Sequence, residues 1–309
     1  MSIVVTGASG AFGRMVTEAL LKQVPPSELI LVTRSPEALA NLEARGAQVR
    51  YGDFDNADSL TQAFSGGERL LLISTLDVGE RRRRQHRSAI DAAVTADVRH
   101  IVYTSSVGIH PHSPAFVVTD HLVTEELLRC TGLDVTILRD SQYAEVIATM
   151  MAPLAVASGQ WVTSAADGHM AFVAKRDCVD SAAAVLTTAG HEGAVYEITG
   201  PELLTFRDAA RIAAEVAGKP IECIVVSHDE MQARFDAAGI PRRFVEGMAP
   251  ANSGPWGSEE MMSYERAIRE GYFAVCSHHV QLITGRPAVS LRDVYLANRD
   301  LLIGTAVCR

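Results

Sequence analysis

Short apolar runs alternate with amphipathic stretches over the first 140 residues of the chain. All but the third run are apolar almost throughout, which is the pattern of strands that are buried on both faces of a sheet. The runs are Ser2–Thr6, Leu29–Thr33, Gln48–Tyr51, Arg69–Ser74, His100–Thr104 and Asp134–Leu138. The alternation predicts an α/β fold with a doubly wound parallel sheet of the Rossmann type.

Helix signals fill the stretches between these runs. Ser35 and Pro36 fit the N-cap and the first helical position of one helix, and Gly46 fits its end. Helical spacing also marks Gln85–Thr95 and Asp120–Cys130. A helix between successive apolar runs is typical of the crossover that joins two parallel strands.

The chain becomes helix-rich after Tyr143, and its strand–helix rhythm loosens. Thr205 begins a helix that ends at Gly218, and Ser227 with Glu230 forms a capping box. The other predicted elements are helices over Ala144–Ala157, Asp177–Thr188, Ser258–Gly271 and Ser290–Leu302, a strand over Val195–Thr199, a turn-rich segment over Gly159–Gly168, a helix from Ser227 to Gly239 and a linker over Ala249–Gly257. We therefore expect a Rossmann domain over residues 1–142, to which a strand near 194–199 returns, and a smaller helix-rich part over 143–309.

Composition narrows the class of protein. The 309 residues are 48% hydrophobic and 21% charged, which indicates a globular chain rather than a disordered or fibrous one. The net charge is −9, and since phosphate contacts need a basic surface, no nucleic-acid partner is expected. The dense basic run Arg81–Arg84 is expected to be a solvated helix start, with a contact to ligand phosphates or an oligomer interface as the alternative.

Membrane, disulfide and metal sites are not expected either. No apolar stretch reaches the ~18 residues that a membrane span needs, and the chain starts with a strand rather than a leader. A cytoplasmic protein is therefore expected. The five cysteines lie far apart without a CxxC pair, which argues against a disulfide framework or a zinc site. The pairs His110/His112 and His278/His279 lack further ligands at a suitable spacing, so no metal is expected.

The strongest motif is the GxxGxxG sequence TGASGAFG, which lies between the first strand and the helix that follows it. Gly7 permits the tight turn, Gly10 lets the backbone approach a pyrophosphate, and Gly13 lets the helix lie against the strand. The helix N-terminus then presents N–H groups and a positive dipole to the phosphates. The motif predicts dinucleotide binding. Its other candidate cofactor-binding residues are Ala8, Ser9, Ala11 and Phe12.

The end of the second strand distinguishes the two nicotinamide dinucleotides. A free ribose 2′-hydroxyl is usually held by a carboxylate about 20 residues after the motif, and no carboxylate stands in Leu31–Ser35. Arg34 stands there instead, between the hydroxyls of Thr33 and Ser35, and a guanidinium suits a 2′-phosphate. The sequence therefore predicts NADP(H), with NADPH preferred over NADH.

The ends of other strands extend the predicted cofactor site. Asp53 and Phe54 follow the third strand, where this fold places the adenine, so Asp53 is a candidate acceptor for the adenine amino group. The fourth and fifth strands end over the expected cofactor crevice. The further candidates at those ends are Ser74, Thr75, Leu76 and Thr104.

Several segments together resemble one known family. They are the glycine fingerprint, Arg34, Leu71–Arg87 and Gly190–Tyr196. With these features the chain resembles the NmrA-like atypical short-chain dehydrogenases/reductases, and its VGERRRRQH is similar to the family's VGxRxxQH with one residue added. The resemblance covers residues 1–250 and 282–295. It implies NADPH in the N-terminal domain, hydride transfer to quinones or conjugated aromatic acceptors, and a substrate cleft against the mainly substrate-binding part 143–309. A homodimer is expected by analogy with the fold alone.

The chain departs from the family pattern around the substrate more than around the cofactor. The family's LRNGWY is LRDSQY here, so Asp140 and Gln142 replace an Asn and a Trp, while Tyr143 is kept. The GDGK-like turn reads DGHM at Asp167–Met170, and an additional segment lies near Ser253–Phe273.

The YxxxK pair that most short-chain reductases use is absent from this sequence. Val117 stands at the Tyr position and His121 at the Lys position, and the resemblance places His121 at the nicotinamide crevice. Reduction of a simple ketone leaves an alkoxide with a pKa of about 16, so it needs a positioned acid. Reduction of a quinone leaves a phenol-like anion with a pKa of roughly 10, which tolerates a weak proton source. A site without the Tyr–Lys pair therefore favours quinones or conjugated acceptors, with His121 or water as the proton source.

Three other side chains are candidate catalytic groups. Ser105, with Ser106, closes the fifth strand, where the superfamily places a hydroxyl that binds the substrate oxygen. Tyr143 is expected to line the nicotinamide or acceptor side of the cleft. Asp140 is a candidate acid beside the nicotinamide.

Three functions remain open from the sequence. The first is an NADPH-dependent reductase of a quinone or a related conjugated or aromatic carbonyl. The second is a reductase of a different ketone or C=C bond on the same fold. The third is a non-catalytic NADP(H)-sensing protein that binds a regulatory partner.

Overall fold

A parallel sheet organises the N-terminal half of the computed structural model, which describes residues 1–243 and 256–304. Its strands are β1 (Ile3–Val5), β2 (Leu29–Thr33), β3 (Gln48–Tyr51), β4 (Arg69–Leu72), β5 (His100–Ser106), β6 (Asp134–Asp140) and β8 (Val195–Ile198). They lie in the order β3-β2-β1-β4-β5-β6-β8, and every pairing is parallel. The predicted Rossmann sheet is confirmed, including the strand that returns after residue 194.

Helices cover both faces of this sheet. The described helices are α1 (Ala11–Leu20), α2 (Ala40–Glu43), α3 (Asp58–Phe64), α4 (Glu80–Thr95), α5 (Phe116–Arg129), α6 (Ala144–Val146), α7 (Ala152–Ser158), α8 (Lys175–Thr187), α9 (Phe206–Ala217), α10 (His228–Ala237), α11 (Ser258–Arg269), α12 (His279–Thr284), α13 (Leu291–Ala297) and α14 (Arg299–Leu302). Leu71 of β4 packs with α1, α2 and α8 on one face, while Leu70 and Leu72 pack with α3, α4 and α5 on the other. The alternation follows from the two-residue period of a strand.

The C-terminal half has its own hydrophobic core. Trp161, Phe172, Phe206, Phe273 and Tyr295 are all buried there, and helices α9, α11 and α13 contribute to it. A small parallel pair of strands, β7 (Gln160–Thr163) and β9 (Glu222–Val225), completes this part. The helix-rich composition of the C-terminal half is therefore confirmed. The division of the chain at residue 142 stays a prediction.

The expectations for several individual elements were wrong. The segment Gly159–Gly168, expected to be turns, contains β7, because that short strand pairs with a strand some sixty residues later, which no local pattern reveals. Helix α4 begins at Glu80 rather than Gln85, and Ser290–Leu302 forms two helices separated by Asn298. A π-helical stretch interrupts the helix predicted over Ala144–Ala157.

Two further expectations were a linker and the lack of a membrane span. Residues 249–255 of the predicted linker Ala249–Gly257 lie outside the described residues. In the described part of the chain, no helix combines the length and the apolar character needed to cross a membrane.

A buried carboxylate joins three elements of the Rossmann domain. Glu125 of α5 is fully buried and accepts hydrogen bonds from Ser105 (2.7 Å), Arg129 (2.8 Å) and both Nε and Nη2 of Arg139 (2.9 and 2.8 Å). Arg139 also pairs with Glu197 of β8 at 3.0 Å. The cluster therefore fixes α5 against β5, β6 and β8 near the carboxyl edge of the sheet.

We expect Glu125→Ala to lower the free energy of unfolding by about 3–5 kcal/mol, because it leaves the half-buried Arg139 guanidinium without its main counter-charge. Denaturant unfolding monitored by circular dichroism measures this loss. Glu126→Ala is the matched control, since Glu126 is the next residue of the same helix and is exposed. Its effect should stay within about 0.5 kcal/mol. Equal effects of the two substitutions would contradict the structural role of the cluster.

Candidate active site

The glycine loop follows β1 at the carboxyl edge of the sheet. Gly7 has φ +58, a conformation that favours glycine, and a Cβ on Gly13 would lie 2.4 Å from the Gly7 carbonyl oxygen. A Cβ on Gly10 would lie 3.2 Å from the same oxygen. Gly10 is also the N-cap of α1 and has no side chain to satisfy the N–H groups of the first turn. The loop is therefore a backbone cradle of the kind that holds a pyrophosphate at a helix N-terminus.

Two arginines lie near the junction of this loop with the end of β2. Arg34 is exposed, and no hydrogen bond or ion pair to a described residue occupies its guanidinium. Arg14 donates from Nε to the Ser9 carbonyl (2.9 Å) and from Nη2 to the Ala38 carbonyl (2.7 Å). It therefore joins the glycine loop to the helical turn that follows β2. The Ser9 hydroxyl lies 2.6 Å from that of Thr33. The residues present therefore fit a 2′-phosphate beside Arg34.

Sequence reasoning missed Arg14. The available signal was its position directly after Gly13, at the start of the helix that the fingerprint introduces. A charged residue there lies one helical turn from the phosphate cradle.

Asp53 and Phe54 lie at the end of β3, as the sequence predicts. Asp53 Oδ1 accepts the backbone N–H of Asp55 at 3.0 Å, and Phe54 packs against the core on the α3 and α4 face. Asp55 in turn accepts from Arg81 (2.9 Å) and Gln85 (3.0 Å) of α4, and the Arg81 hydrogen bond lowers the pKa of Asp55. The turn after β3 is thus fastened to the start of α4.

The strand ends at the middle of the sheet lie close together. The backbone N–H of Ser74 donates to Thr104 Oγ1 at 2.9 Å, which joins the ends of β4 and β5. Thr75 Oγ1 is buried and has no hydrogen-bond partner among the described residues. Leu76 is 73% exposed, although it is aliphatic. An unsatisfied buried hydroxyl beside an exposed apolar side chain fits a crevice that receives a ligand.

His121 lies in a buried polar network rather than free in the crevice. It is 4% exposed, with Nε2 3.2 Å from Arg82 Nη1 and Nδ1 2.7 Å from Tyr103 Oη. An arginine can only donate, so Nε2 accepts and Nδ1–H donates to Tyr103. Burial and the Arg82 charge hold the pKa of His121 well below its ordinary value. The imidazole is therefore neutral, and both of its nitrogens are occupied.

The basic run Arg81–Arg84 is not a uniformly solvated helix start, so that expectation was wrong for Arg82. Arg82 is 4% exposed, and besides His121 it donates from Nη2 to the Thr75 carbonyl. His86, one turn later, accepts the Thr75 N–H at 3.1 Å, and burial lowers the pKa of His86 to about 3. Arg82 and His86 are therefore two buried side chains of α4 that hydrogen-bond to the loop after β4.

Ser105 is placed at the end of β5 as predicted, but its hydroxyl donates to Glu125 and it is 5% exposed. Its neighbour Ser106 is half-buried and donates to the Val107 carbonyl at 3.0 Å. Neither hydroxyl has its proton directed at an open crevice. The substrate role predicted for Ser105 stays a prediction, as does the catalytic role of His121.

Asp140 and Tyr143 meet at the end of β6. The Tyr143 hydroxyl donates to Asp140 Oδ2 at 3.3 Å, and the Tyr143 ring stacks on Phe12 in the first turn of α1, with centroids 6.2 Å apart and planes 10° apart. Burial raises the pKa of Asp140 to about 7, while the neighbouring Cys178 thiol and Tyr143 hydroxyl oppose that rise. Asp140 and Tyr143 are thus the two predicted catalytic residues that the structure brings together near the glycine loop.

Comparison with known proteins agrees with this architecture. Residues 7–152 match the NAD(P)H-binding family. Quinone oxidoreductase 2 of Escherichia coli is 35% identical over 252 residues, which cover 82% of this chain and 87% of that protein. An NmrA-like family domain-containing oxidoreductase of Aspergillus flavus is 30% identical, and the match covers 97% of both chains.

Solved structures give the same relationship. The NADPH complex of the E. coli quinone oxidoreductase has a TM-score of 0.85 at 32% identity, covering 95% of this chain and 98% of that one. Citrobacter sp. triphenylmethane reductase complexed with NADP(H) has a TM-score of 0.84 at 31% identity, covering 96% and 100% of the two chains. The resemblance inferred from the sequence motifs is confirmed: this chain belongs to the NmrA-like oxidoreductases and carries their NAD(P)H-binding Rossmann domain.

Proposed function

We propose that the protein is an NADPH-dependent oxidoreductase that transfers hydride to a quinone or a related conjugated or aromatic carbonyl. The observation that carries the proposal is the glycine cradle with the exposed Arg34 beside it, which matches the central pyrophosphate and the adenosine 2′-phosphate of NADPH. The relative that reduces quinones by name, at 35% identity, supports the choice of acceptor. When bound, NADPH supplies the hydride.

The residues proposed to hold the cofactor follow the carboxyl edge of the sheet. Backbone groups of the loop take the pyrophosphate, Arg34 the 2′-phosphate, and Asp53 with Phe54 the adenine side. Strand-end residues lie toward the nicotinamide side, and His121 acts there indirectly, by positioning Arg82 and the Thr75 backbone. The full proposed set is Gly7, Ala8, Ser9, Gly10, Ala11, Phe12, Gly13, Arg34, Asp53, Phe54, Ser74, Thr75, Leu76, Thr104 and His121.

The proton chemistry of the site fits an acceptor with a weakly basic product. A neutral His121 whose only N–H is given to Tyr103 is a poor direct acid, so we assign it a positioning role on Arg82 and the Thr75 backbone. A hydroquinone anion, with a pKa of roughly 10, takes its proton from water without a dedicated acid. The absence of the Tyr–Lys pair is then no obstacle to turnover.

Two other functions remain as alternatives. A different ketone or C=C acceptor on the same fold is favoured by Asp140, a buried carboxyl with a raised pKa beside the Tyr143 hydroxyl. A non-catalytic NADP(H) sensor would bind the reduced and oxidised cofactor unequally without turnover. A small-molecule acceptor, a cytoplasmic location and a homodimer stay predictions with the main proposal.

We expect Arg34→Ala to weaken NADPH binding on the order of 10- to 100-fold, because the substitution removes a charged hydrogen bond to the 2′-phosphate. NADH binding should change little. Fluorescence titration of each cofactor measures both dissociation constants. Arg45→Ala is the matched control, since Arg45 is exposed and paired with Glu18 away from the loop. If NADPH and NADH binding weakened equally, the proposed phosphate role of Arg34 would be wrong.

We expect purified protein to oxidise NADPH rapidly when 1,4-benzoquinone is added, because the quinone needs no strong acid. The measurement follows NADPH absorbance with the quinone, then with an aryl ketone and an enone. Oxidation by ketone or enone but not by quinone would replace the main proposal with the second alternative. Binding of NADPH without oxidation by any of the three would favour the sensor.

A further inference from the structure

Asp140 is buried without the partners that an ionised carboxylate needs. Its side chain is 7% exposed, and Oδ1 receives no hydrogen bond from a described residue. Oδ2 has the Tyr143 hydroxyl at 3.3 Å. Desolvation with so few donors favours the neutral carboxylic acid over the carboxylate. Burial therefore raises the pKa of Asp140, which makes it the candidate proton donor of this site.

Tyr143 links Asp140 to the start of α1. Its ring is half-buried and lies parallel to that of Phe12, which is in the first turn of α1, directly after the glycine loop. The hydroxyl at the other end of the ring reaches Asp140. In the structure the Tyr143 hydroxyl donates to Asp140 Oδ2, whereas in the proposed working form the O–H of a neutral Asp140 donates to Tyr143 Oη and so releases the Tyr143 proton.

The charged and titratable groups around the pair come from two further elements. On α8, Lys175 Nζ lies 5.4 Å from the centroid of the Tyr143 ring, and the Cys178 thiol lies beside Asp140. Asp177 of α8 is paired with Arg286, and Glu145 of α6 accepts the backbone N–H of Lys175. The neighbouring carboxylates Asp177 and Glu145 thus have their own partners, and neither makes a recorded hydrogen bond to Asp140.

We propose that Asp140 and Tyr143 form a proton-delivery pair that extends the reductase to ketones, carbonyl acceptors whose reduced oxygen is far more basic than that of a hydroquinone. The inference rests on the proposed NADPH-dependent hydride transfer. Once the carbonyl carbon has received the hydride, the negatively charged oxygen takes the proton of Tyr143. Tyr143 takes the proton of Asp140, which becomes a carboxylate and is reprotonated from water. One hydride and one proton are consumed for each alcohol formed.

The direction of the pH dependence follows from this sequence of transfers. The active form has Asp140 protonated, and burial raises the pKa of Asp140 to about 7. Turnover of a ketone is therefore expected to be full below that pH and to fall as the pH rises through it. Turnover of a quinone is expected to lack this decline.

The test compares an aryl ketone, acetophenone, with 1,4-benzoquinone in the presence of NADPH. We expect Asp140→Asn to lower kcat for the ketone on the order of 100-fold, much more than for the quinone, since general acids contribute about 10²–10⁴-fold. The decline in rate near pH 7 should disappear with it, and Tyr143→Phe should also affect the ketone preferentially. Asp134→Asn is the matched control, because Asp134 lies exposed at the opposite end of the same strand.

Infrared spectroscopy of the protein without cofactor supplies a second readout. At pH 6, the protein minus the Asp140→Asn variant should show the C=O band of a protonated carboxylic acid, and Tyr143→Phe should retain that band. An absent band would overturn the proposal. So would quinone reduction without ketone reduction, or ketone reduction that survives Asp140→Asn, although both would leave the proposed quinone activity intact. Failure to reduce any acceptor would instead overturn the proposed function, and the inference with it.

Discussion

The close approach of α1 to the end of β1 positions the candidate cofactor site of this protein. The contact is between backbones, because a Cβ on Gly13 would come within 2.4 Å of the Gly7 carbonyl. It brings the N-terminus of α1 to the carboxyl edge of the sheet, where its unsatisfied N–H groups face outward. The other strand ends, and the side chains that follow them, meet at the same edge because all the strands of the sheet are parallel.

Buried polar side chains act in this fold as connections between elements. Glu125 joins α5 to β5 and β6, and Arg82 joins α4 to the loop after β4 and to α5. Glu125 accepts four hydrogen bonds, which is the condition under which burial of a charge is tolerated. Arg82 makes two, and its buried Nε has no hydrogen-bond partner among the described residues. Asp140 is also less well satisfied than Glu125, since Oδ1 has no partner among the described residues and the Tyr143 hydroxyl lies 3.3 Å from Oδ2.

The sequence predicted the sheet well because most of its strands are buried on both faces and are therefore largely apolar. It predicted the ends of β5 and β6 less well, since Ser105, Ser106, Arg139 and Asp140 are polar residues that still continue the pairing. The strands β7 and β9 were missed, because each has four residues and its partner is distant in sequence. Local periodicity carries no information about such a pairing.

The residues of the candidate site were likewise predicted only in part. The glycine loop and Arg34 were found because their chemistry follows from backbone geometry and charge at a known point of the fold. Arg82 was misjudged, because a run of four arginines is normally solvated and only the packing of α4 on α5 shows which member is buried. The tautomer of His121 likewise depends on Arg82, a partner 39 residues away in sequence.

The His121 network and the Asp140–Tyr143 pair differ in whether they hold a proton that is available for transfer. His121 stands at the position of the missing lysine and gives its single N–H to Tyr103. We therefore assign it a positioning role on Arg82 rather than the role of an acid. In the proposed mechanism the transferable proton belongs instead to Asp140, which lies beside Cys178 of α8 on the other face of the sheet. An acceptor that tolerates slow protonation would need only the first arrangement, whereas a ketone would need the second. Because the two networks lie on different faces of the sheet, the proposed acid can be altered without disturbing the packing of α4 and α5, and one hydride site would serve acceptors of different basicity.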